Sequence, residues 1–391
     1  MIRIPLTLIG LYLSIAGLFA QTNETDSLYE ARKLKFDEAN FVSSYYHQEG
    51  NNSAVTGGVG TERLTDISNT IDLHLSKYDV KGRLHNYTFE LGFDTYTSAS
   101  SDKVDPNTIS SASSNDQRFY PSVAWSVTNE EKGQAFGANA AISAEYDYLS
   151  FGGGVNVSKN SKDNNRQLSA KLQAYLDQVT IIYPIELRPA PYSTKPRNSF
   201  SSSFTLSQII NRRLQVAMIL DLAYQQGFLS LPFNRVYFVT NAVAVENLPD
   251  TRFKIPIGFR ANYFLGDRFI LRGFYRYYQD DWGMQAHTMN FETSVKITPF
   301  ISVTPFYRYH RQTAIDYFAP IRQHNPSDEF YSSDYDLSEL SSQSGGLGFR
   351  YVSPDGVLGV KRWNTIEIRF DHYERSNGLT SNIISLHAKF K

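Results

Sequence analysis

Several segments of this 391-residue chain carry a charge or hydrogen-bonding group at every second position. Arg272 and Arg276 alternate with Phe274 and Tyr278. Glu292 and Lys296 continue a polar series through Thr288, Asn290 and Ser294. Arg308 lies in the series Ser302, Thr304, Phe306, His310, and Glu367, Arg369 and Asp371 follow near the end. A period of two puts each series on one face of a strand. If those faces turn to a common interior, facing Arg and acid ladders create a transverse field that filters solutes by charge. The competing reading is structural: the same charges pair across strands and satisfy one another in a confined space. An Arg-rich wall favours anionic solutes.

Other residues could support different chemistry. Asp280, Asp281 and His287, with His310 and Asp316 on a nearby strand end, offer an imidazole beside carboxylates. That is the material of a general base at a barrel rim, but neither a G-x-S-x-G elbow nor an H-E-x-x-H pair accompanies it. Asp94, Asp102 and Asp105 offer oxygen ligands for calcium without the spacing of an EF-hand, and solvated loop carboxylates are the plainer reading. His47 and Glu49 share one side of a strand and make an incomplete metal site. The Gly-rich stretch Asn51–Glu62 lacks the Lys-Ser/Thr ending of a phosphate-binding loop and reads as a turn or infolded loop. Gly152–Gly154 marks a strand bend or close backbone contact. No catalytic residue, metal site or cofactor is expected.

The composition narrows the classes. Lys and Arg total 38 against 39 Asp and Glu, and there is no cysteine. Disulfide frameworks, thiolate metal sites and Cys nucleophiles are excluded. The near-neutral balance and the lack of a basic stripe argue against nucleic acid. Tyr and Phe number 26 each, with 3 Trp, in an otherwise polar chain, unlike a polytopic helical membrane protein. Met1–Arg3 followed by the apolar run Ile4–Leu18 and by Phe19-Ala20 predicts a signal peptide over residues 1–20. The run is short for a membrane anchor. Beyond it no segment reaches the roughly 18 apolar residues of a spanning helix, so a membrane position requires a closed β-barrel.

Period-two alternation recurs from about residue 40 to the end. Asn69, Ile71, Leu73 and Leu75 oppose Ser68, Thr70, Asp72 and His74; Leu168, Ala170, Leu172, Ala174 and Leu176 oppose Ser169, Lys171, Gln173, Tyr175 and Asp177. The segments are about ten residues long, which suits a tilted strand crossing a bilayer. Aromatics end many apolar faces, as at Tyr277-Tyr278, Tyr307/Tyr309 and Tyr146/Tyr148, in the manner of interfacial girdles. Short connections alternate with long ones. Strands are predicted from near Asn40, then at 64–78, 84–97, 118–128, 134–147, 149–158, 166–177, 199–209, 214–226, 253–264, 269–278, 286–297, 301–313, 344–352, 365–375 and 381–390. The count of about sixteen is even, with both termini on the short-turn side, as in bacterial outer-membrane barrels. The expected fold is therefore an all-β, transmembrane antiparallel barrel of 14–18 strands over residues 40–391, preceded by a polar leader or small plug segment at 21–39. The Pro-rich Tyr183–Pro196 and the acidic Ser327–Ser342 read as extended surface loops.

The last strand, Ile383–Phe390, ends in an aromatic beside Lys391, similar to the terminal strand by which assembly machinery recognises outer-membrane barrels. His47–Glu62 and Asp94–Lys103 resemble the N-terminal motifs of an exported Gram-negative outer-membrane β-barrel family of unknown function. The resemblance implies a barrel in the outer membrane with periplasmic termini, and no established activity. It also implies partners: outer-membrane lipids, the barrel assembly machinery, and a lipoprotein or other envelope protein in a redox context. The expected function is porin-like passage of small polar solutes. The alternatives are a non-conducting barrel that docks a lipoprotein or secreted partner, and a rim hydrolase.

Overall fold

The computed structural model describes residues 33–97, 115–187 and 193–391. The predicted signal peptide, most of the predicted leader, Asp102 and Asp105 lie outside the described residues. Sixteen antiparallel strands close into a single barrel. In chain order they are β1 (Lys35–Glu49), β2 (Leu64–Tyr78), β3 (Leu84–Thr97), β4 (Asn115–Asn129), β5 (Gln134–Ala144), β6 (Tyr148–Asn160), β7 (Arg166–Ile181), β8 (Ser193–Asn211) and β9 (Leu214–Gly227). After the short hairpin β10 (Arg235–Tyr237) and β11 (Val243–Val245) come β12 (Thr251–Leu265), β13 (Phe269–Asp280), β14 (Gln285–Lys296), β15 (Ile301–Gln312), β16 (Leu340–Val352), β17 (Trp363–Arg375) and β18 (Thr380–Phe390). Each barrel strand pairs with its neighbours in sequence, apart from β9 with β12. The ring closes where β1 meets β18, from Ala39–Phe390 to Glu49–Thr380.

The alternation read from the sequence becomes two chemically different faces. On β7, Leu168, Leu172 and Leu176 are 57%, 55% and 53% exposed on the outside, while Gln173 and Asp177 are 8% and 7% exposed on the inside. The same division runs around the ring and gives an outer apolar band with aromatics toward both ends. Trp363 stacks on Phe390 at 6.1 Å near the short-turn rim. Tyr275, Tyr277, Tyr307 and Tyr309 face outward nearer the long-loop rim. Adjacent residues cannot share a face, so Tyr278 points inward to Asp280 at 2.6 Å, and Tyr148 also turns inward and bonds Asp177.

Four strands start three or more residues before expectation, each where pairing continues beyond the alternating stretch; β7 also runs on to Ile181, and β5 stops short at Ala144. Strand β1 begins at Lys35 because Lys389 pairs with Glu38 at 2.5 Å and Lys35 is in register with Ser76. Residues 35–39 therefore belong to the barrel and not to a leader. Strand β8 starts at Ser193 because Thr194–Arg197 stay in register with Thr180–Asp177. Strand β4 opens at Asn115 opposite Thr97, and β16 opens at Leu340 opposite Gln312. The short turns carry their own fasteners. Asp79 accepts the backbone N–H groups of Arg83 and Lys81 and the Arg83 guanidinium, which holds its carboxyl well below the usual range.

The face assignment is testable on β7. Leu172→Arg puts a guanidinium on the apolar face near mid-strand and is expected to destabilise the barrel in lipid vesicles by about 2–4 kcal/mol. Gln173→Arg, one residue on, points into the lumen and is expected to cost well under half of that. Reversible urea unfolding in vesicles distinguishes the two; equal penalties would contradict the assignment.

Candidate functional site

All eight charged residues singled out from the sequence fall in inward-facing series: Arg272 and Arg276 on β13, Glu292 and Lys296 on β14, Arg308 on β15, and Glu367, Arg369 and Asp371 on β17. Four of them join one network. Arg272 Nη1 meets Glu292 Oε1 at 2.5 Å, Arg369 Nη2 meets Glu292 Oε2 at 3.1 Å, and Arg369 Nη1 reaches Glu367 at 3.6 Å. Arg369 passes over β15 and β16 to do so, with its guanidinium 4.7 Å from the centre of the Phe306 ring. The crossing requires bare backbone beneath it. A Cβ at Gly346 would lie 2.5 Å from Phe306 Cζ and would collide with the Phe370 carbonyl oxygen. Among the described residues, Arg276, Arg308, Lys296 and Asp371 are in no ion pair.

The ring order adds what the strand-by-strand reading missed. Strands β2–β4 lie diametrically opposite β12–β14. The inward series on β2–β4 carries Asp66, Asp72, Glu90, Asp94 and Asp116 with one arginine, Arg118; that on β12 and β13 carries Arg252, Lys254, Arg260, Arg272 and Arg276. An acid wall thus faces a basic wall across the lumen. The signal for Lys254, Arg260 and the acids was the same parity rule, but only closure shows which strands confront each other. The inward side chains are not packed solid: Arg272 and Arg118 keep 43% and 44% of their side-chain surface.

At the long-loop rim, residues 50–63, 182–187, 228–250 and 313–339 fold together. Residues 50–63 connect β1 to β2 and residues 228–250 connect β9 to β12, on opposite sides of the ring, so their contact spans the barrel mouth. Arg235, 3% exposed, joins three of these loops. Its Nε donates to Glu186 at 2.6 Å and its Nη1 to the Val55 carbonyl at 2.7 Å. Asn247 and Tyr331 exchange backbone bonds, and Glu246 accepts from Ser332 Oγ and the Leu231 N–H, both at 2.6 Å. Leu248, Trp282, Met284 and Ile315 form a small core below them. Ser332 and Ser333 are almost fully buried, so Ser327–Ser342 is not an extended surface loop. The backbone bonds to residues 228–250 hold it down. The Gly-rich stretch likewise folds into this roof: a 3-10 turn at Ala54–Thr56 ends on Gly57 and Gly58, whose positive φ angles of 81° and 85° suit glycine.

Burial raises the carboxyl pKa of Glu246, against the opposing charge of Arg197, and of Glu62, against that of Arg375. Asp334 is raised first by burial and then by Asp336, Glu246 and Glu62.

The other candidates do not assemble. His287 faces outward, 2.8 Å from the Tyr275 hydroxyl, whereas Asp280 faces inward and is held by Arg252 at 2.5 Å and by the Trp282 and Met284 N–H groups. Asp281 accepts the Phe253 N–H. A strand sends consecutive parities to opposite faces, so this imidazole and the Asp280 carboxyl cannot share a substrate. His47 and Glu49 do lie on one side, 3.6 Å apart, with Glu49 also bound by Arg63 at 2.8 Å. Asp94 accepts from Tyr120 at 2.8 Å. Asp116, Glu145 and Asp147 bring carboxylate oxygens within 4.8 Å of one another at the long-loop rim, with Tyr96 donating to Glu145 at 2.7 Å. Gly152 and Gly154 leave room for the inward Tyr175 and Gln173 side chains.

A closed sixteen-stranded barrel with an apolar outside and a charged inside is of the outer-membrane type. Residues 86–383 match the protein family of unknown function DUF3570, and the chain belongs to that family. Comparison with curated proteins finds no match. Among solved structures the chain is similar to a BenF-like porin from Pseudomonas fluorescens Pf-5, at 8% identity and a TM-score of 0.44 over 90% of this chain and 98% of that one. It is also similar to the outer membrane protein OpdK from Pseudomonas aeruginosa, at 8% identity and TM-score 0.42 over 92% and 98%. A mutant of the ferric enterobactin receptor PfeA from Pseudomonas aeruginosa matches at 10% identity and TM-score 0.47 over 86% of this chain and 53% of that one. At such identities the likeness is one of fold.

Two consequences of the roof can be measured. Arg235→Ala removes the charge that ties the loops together and takes one donor from Glu186 and from the Val55 carbonyl. Glu186 is partly exposed, so the loss is expected to be about 1–3 kcal/mol of roof stability and not the full penalty of a buried pair. Faster protease cleavage within 228–250 and 313–339, with the strands intact, is the expected readout. The raised carboxyls set a sign for pH. The roof keeps its full stability below about pH 4, where these groups are protonated whether folded or not, and loses stability as pH rises through their raised values. Hydrogen exchange in 228–250 and 313–339, corrected for intrinsic rates, should be faster at pH 8 than at pH 5.

Proposed function

We propose that this chain is an outer-membrane conduit for small polar solutes, with its termini and short turns in the periplasm and its long loops narrowing the outer mouth. The observation that carries this reading is the state of the inward charges. Acid and basic walls face each other, Arg276, Arg308 and Lys296 stay outside any ion pair among the described residues, and even the paired Arg272 and Arg118 stay exposed within the ring. A lumen that served only as packing would neutralise and bury these groups, because unpaired charge in a confined interior is costly. A sixteen-stranded ring is also wide enough to enclose a channel. Opposed walls of this kind orient and sort solutes by charge. Lipids of the outer membrane would cover the apolar band, and the assembly machinery would receive the Phe390 strand.

The joined loops favour a second reading, in which the roof stays shut and receives a lipoprotein or other envelope protein. Planar-bilayer recording of the purified, refolded chain separates the two. The conduit predicts steady, salt-dependent conductance whose ion selectivity shifts toward cations when Arg272, Arg276 and Arg308 are neutralised together. A folded barrel that inserts and stays silent would overturn the conduit and leave the docking barrel.

A further inference from the structure

The lumen-facing arginines of β12–β17 divide into two sets. Four are neutralised in place: Arg252 by Asp280, Arg272 by Glu292, Arg369 by Glu292 and Glu367, and Arg375 by Asp336 at 2.5 Å. Arg260, Arg276, Arg308 and Arg350 are not. Among the described residues no carboxylate oxygen comes within 4.0 Å of these four guanidiniums, although Arg350 stands in register with Glu367.

Arg260, Arg276 and Arg308 root on the nearby strands β12, β13 and β15. Arg260, Phe274, Asn290 and Arg308 are successive register partners across β12, β13, β14 and β15, and so form one row around the wall. Arg276 stands one inward step closer to the long-loop rim, beside Thr288, whose own partner is His310. Arg276 and Arg308 both act electrostatically on the His310 imidazole. Three strand spacings separate the roots of Arg260 and Arg308 by about 14 Å. The donor Arg276 Nε is buried without a hydrogen-bond partner, as are the acceptors Asn290 Oδ1 and Asp371 Oδ1. Phe274 lies beneath the Arg260 guanidinium at 5.8 Å, and His310 is fixed by Thr288 at 2.9 Å and Gln312 at 3.1 Å. The acid facing this row from β17 is Asp371, which is hydrogen-bonded by Ser344 and feels the charges of Arg308 and Arg369 without forming an ion pair with either.

Guanidiniums outside any ion pair leave donors unused. A planar or tetrahedral oxyanion takes up those donors, because the guanidinium fork matches two oxygens at once. We propose that Arg260, Arg276 and Arg308 form an oxyanion-binding site in the lumen that takes the carboxylate or phosphate group of a small solute. The proposal deepens the conduit reading and rests on it for its biological sense, since it names the solute class that the basic wall would select.

The test is calorimetric titration of the folded full-length chain in detergent, with sodium acetate and with sodium phosphate, at ionic strength held constant with sodium chloride. Saturable binding of at least one oxyanion over chloride is expected. Arg276→Gln with Arg308→Gln should weaken it by about tenfold or more. The single Arg308→Gln variant, checked for a folded barrel by circular dichroism, should show a smaller loss. Binding of acetate alone assigns a carboxylate, phosphate alone a phosphate, and both a general oxyanion site. No saturable binding, or undiminished binding in the folded double variant, overturns the site. Its failure is separable from that of the conduit: a silent barrel that binds phosphate keeps the site and loses the passage, and a conducting barrel that binds neither anion does the reverse.

Discussion

The strand Lys35–Glu49 pairs on one side with its sequence neighbour and on the other with the last strand of the chain, Thr380–Phe390. This second pairing turns a sheet into a ring. In hydrocarbon an unpaired edge would leave a row of N–H and C=O groups without water, each costing several kcal/mol, so a membrane sheet must close or not form. Closure then dictates the rest. It fixes one outer face that must be apolar and one inner face free to be charged. It also decides which strands oppose each other across the lumen.

From closure follow both features of the interior. The acids of β2–β4 confront the arginines of β12 and β13 because eight strand positions separate them in a ring of sixteen. Loops rooted on opposite hairpins have a single space in which to meet, above the lumen, and there Arg235 and Glu246 give them a polar framework with small apolar clusters around it. The lower network of Arg272, Glu292, Arg369 and Glu367 braces β13, β14 and β17 internally. The structural and functional readings of the lumen charges thus both hold, at different heights of the same wall.

Strand number and faces were legible because lipid outside and water inside impose a period of two that no other element imitates. The strand ends were less so. Ser193–Asn198 continues pairing with β7 after the apolar alternation has ended, and pairing itself leaves no trace in composition. Contacts that cross the ring were invisible. Arg369 and Glu292 are 77 residues apart and meet because Gly346 is bare, while Arg235 and Val55 are 180 apart. The grouping of Asp280 with His287 could have been refused from parity alone, since Tyr277, not Tyr278 or Asp280, is the residue that faces His287 across the strands. The acid wall needed only the ring order that the strand count already implied.

The account stands on water reaching the inward row while lipid covers its outward neighbours. The chain has no cysteine, so single cysteines report cleanly. Arg276→Cys and Arg308→Cys face the lumen; Tyr275→Cys and Tyr307→Cys face out. In protein reconstituted into vesicles, a small charged thiol reagent is predicted to modify the first pair of variants rapidly and the second slowly or not at all. Protection of the thiols in the folded Arg276→Cys and Arg308→Cys variants, or equal labelling of all four variants, would contradict a water-filled lumen lined by these residues.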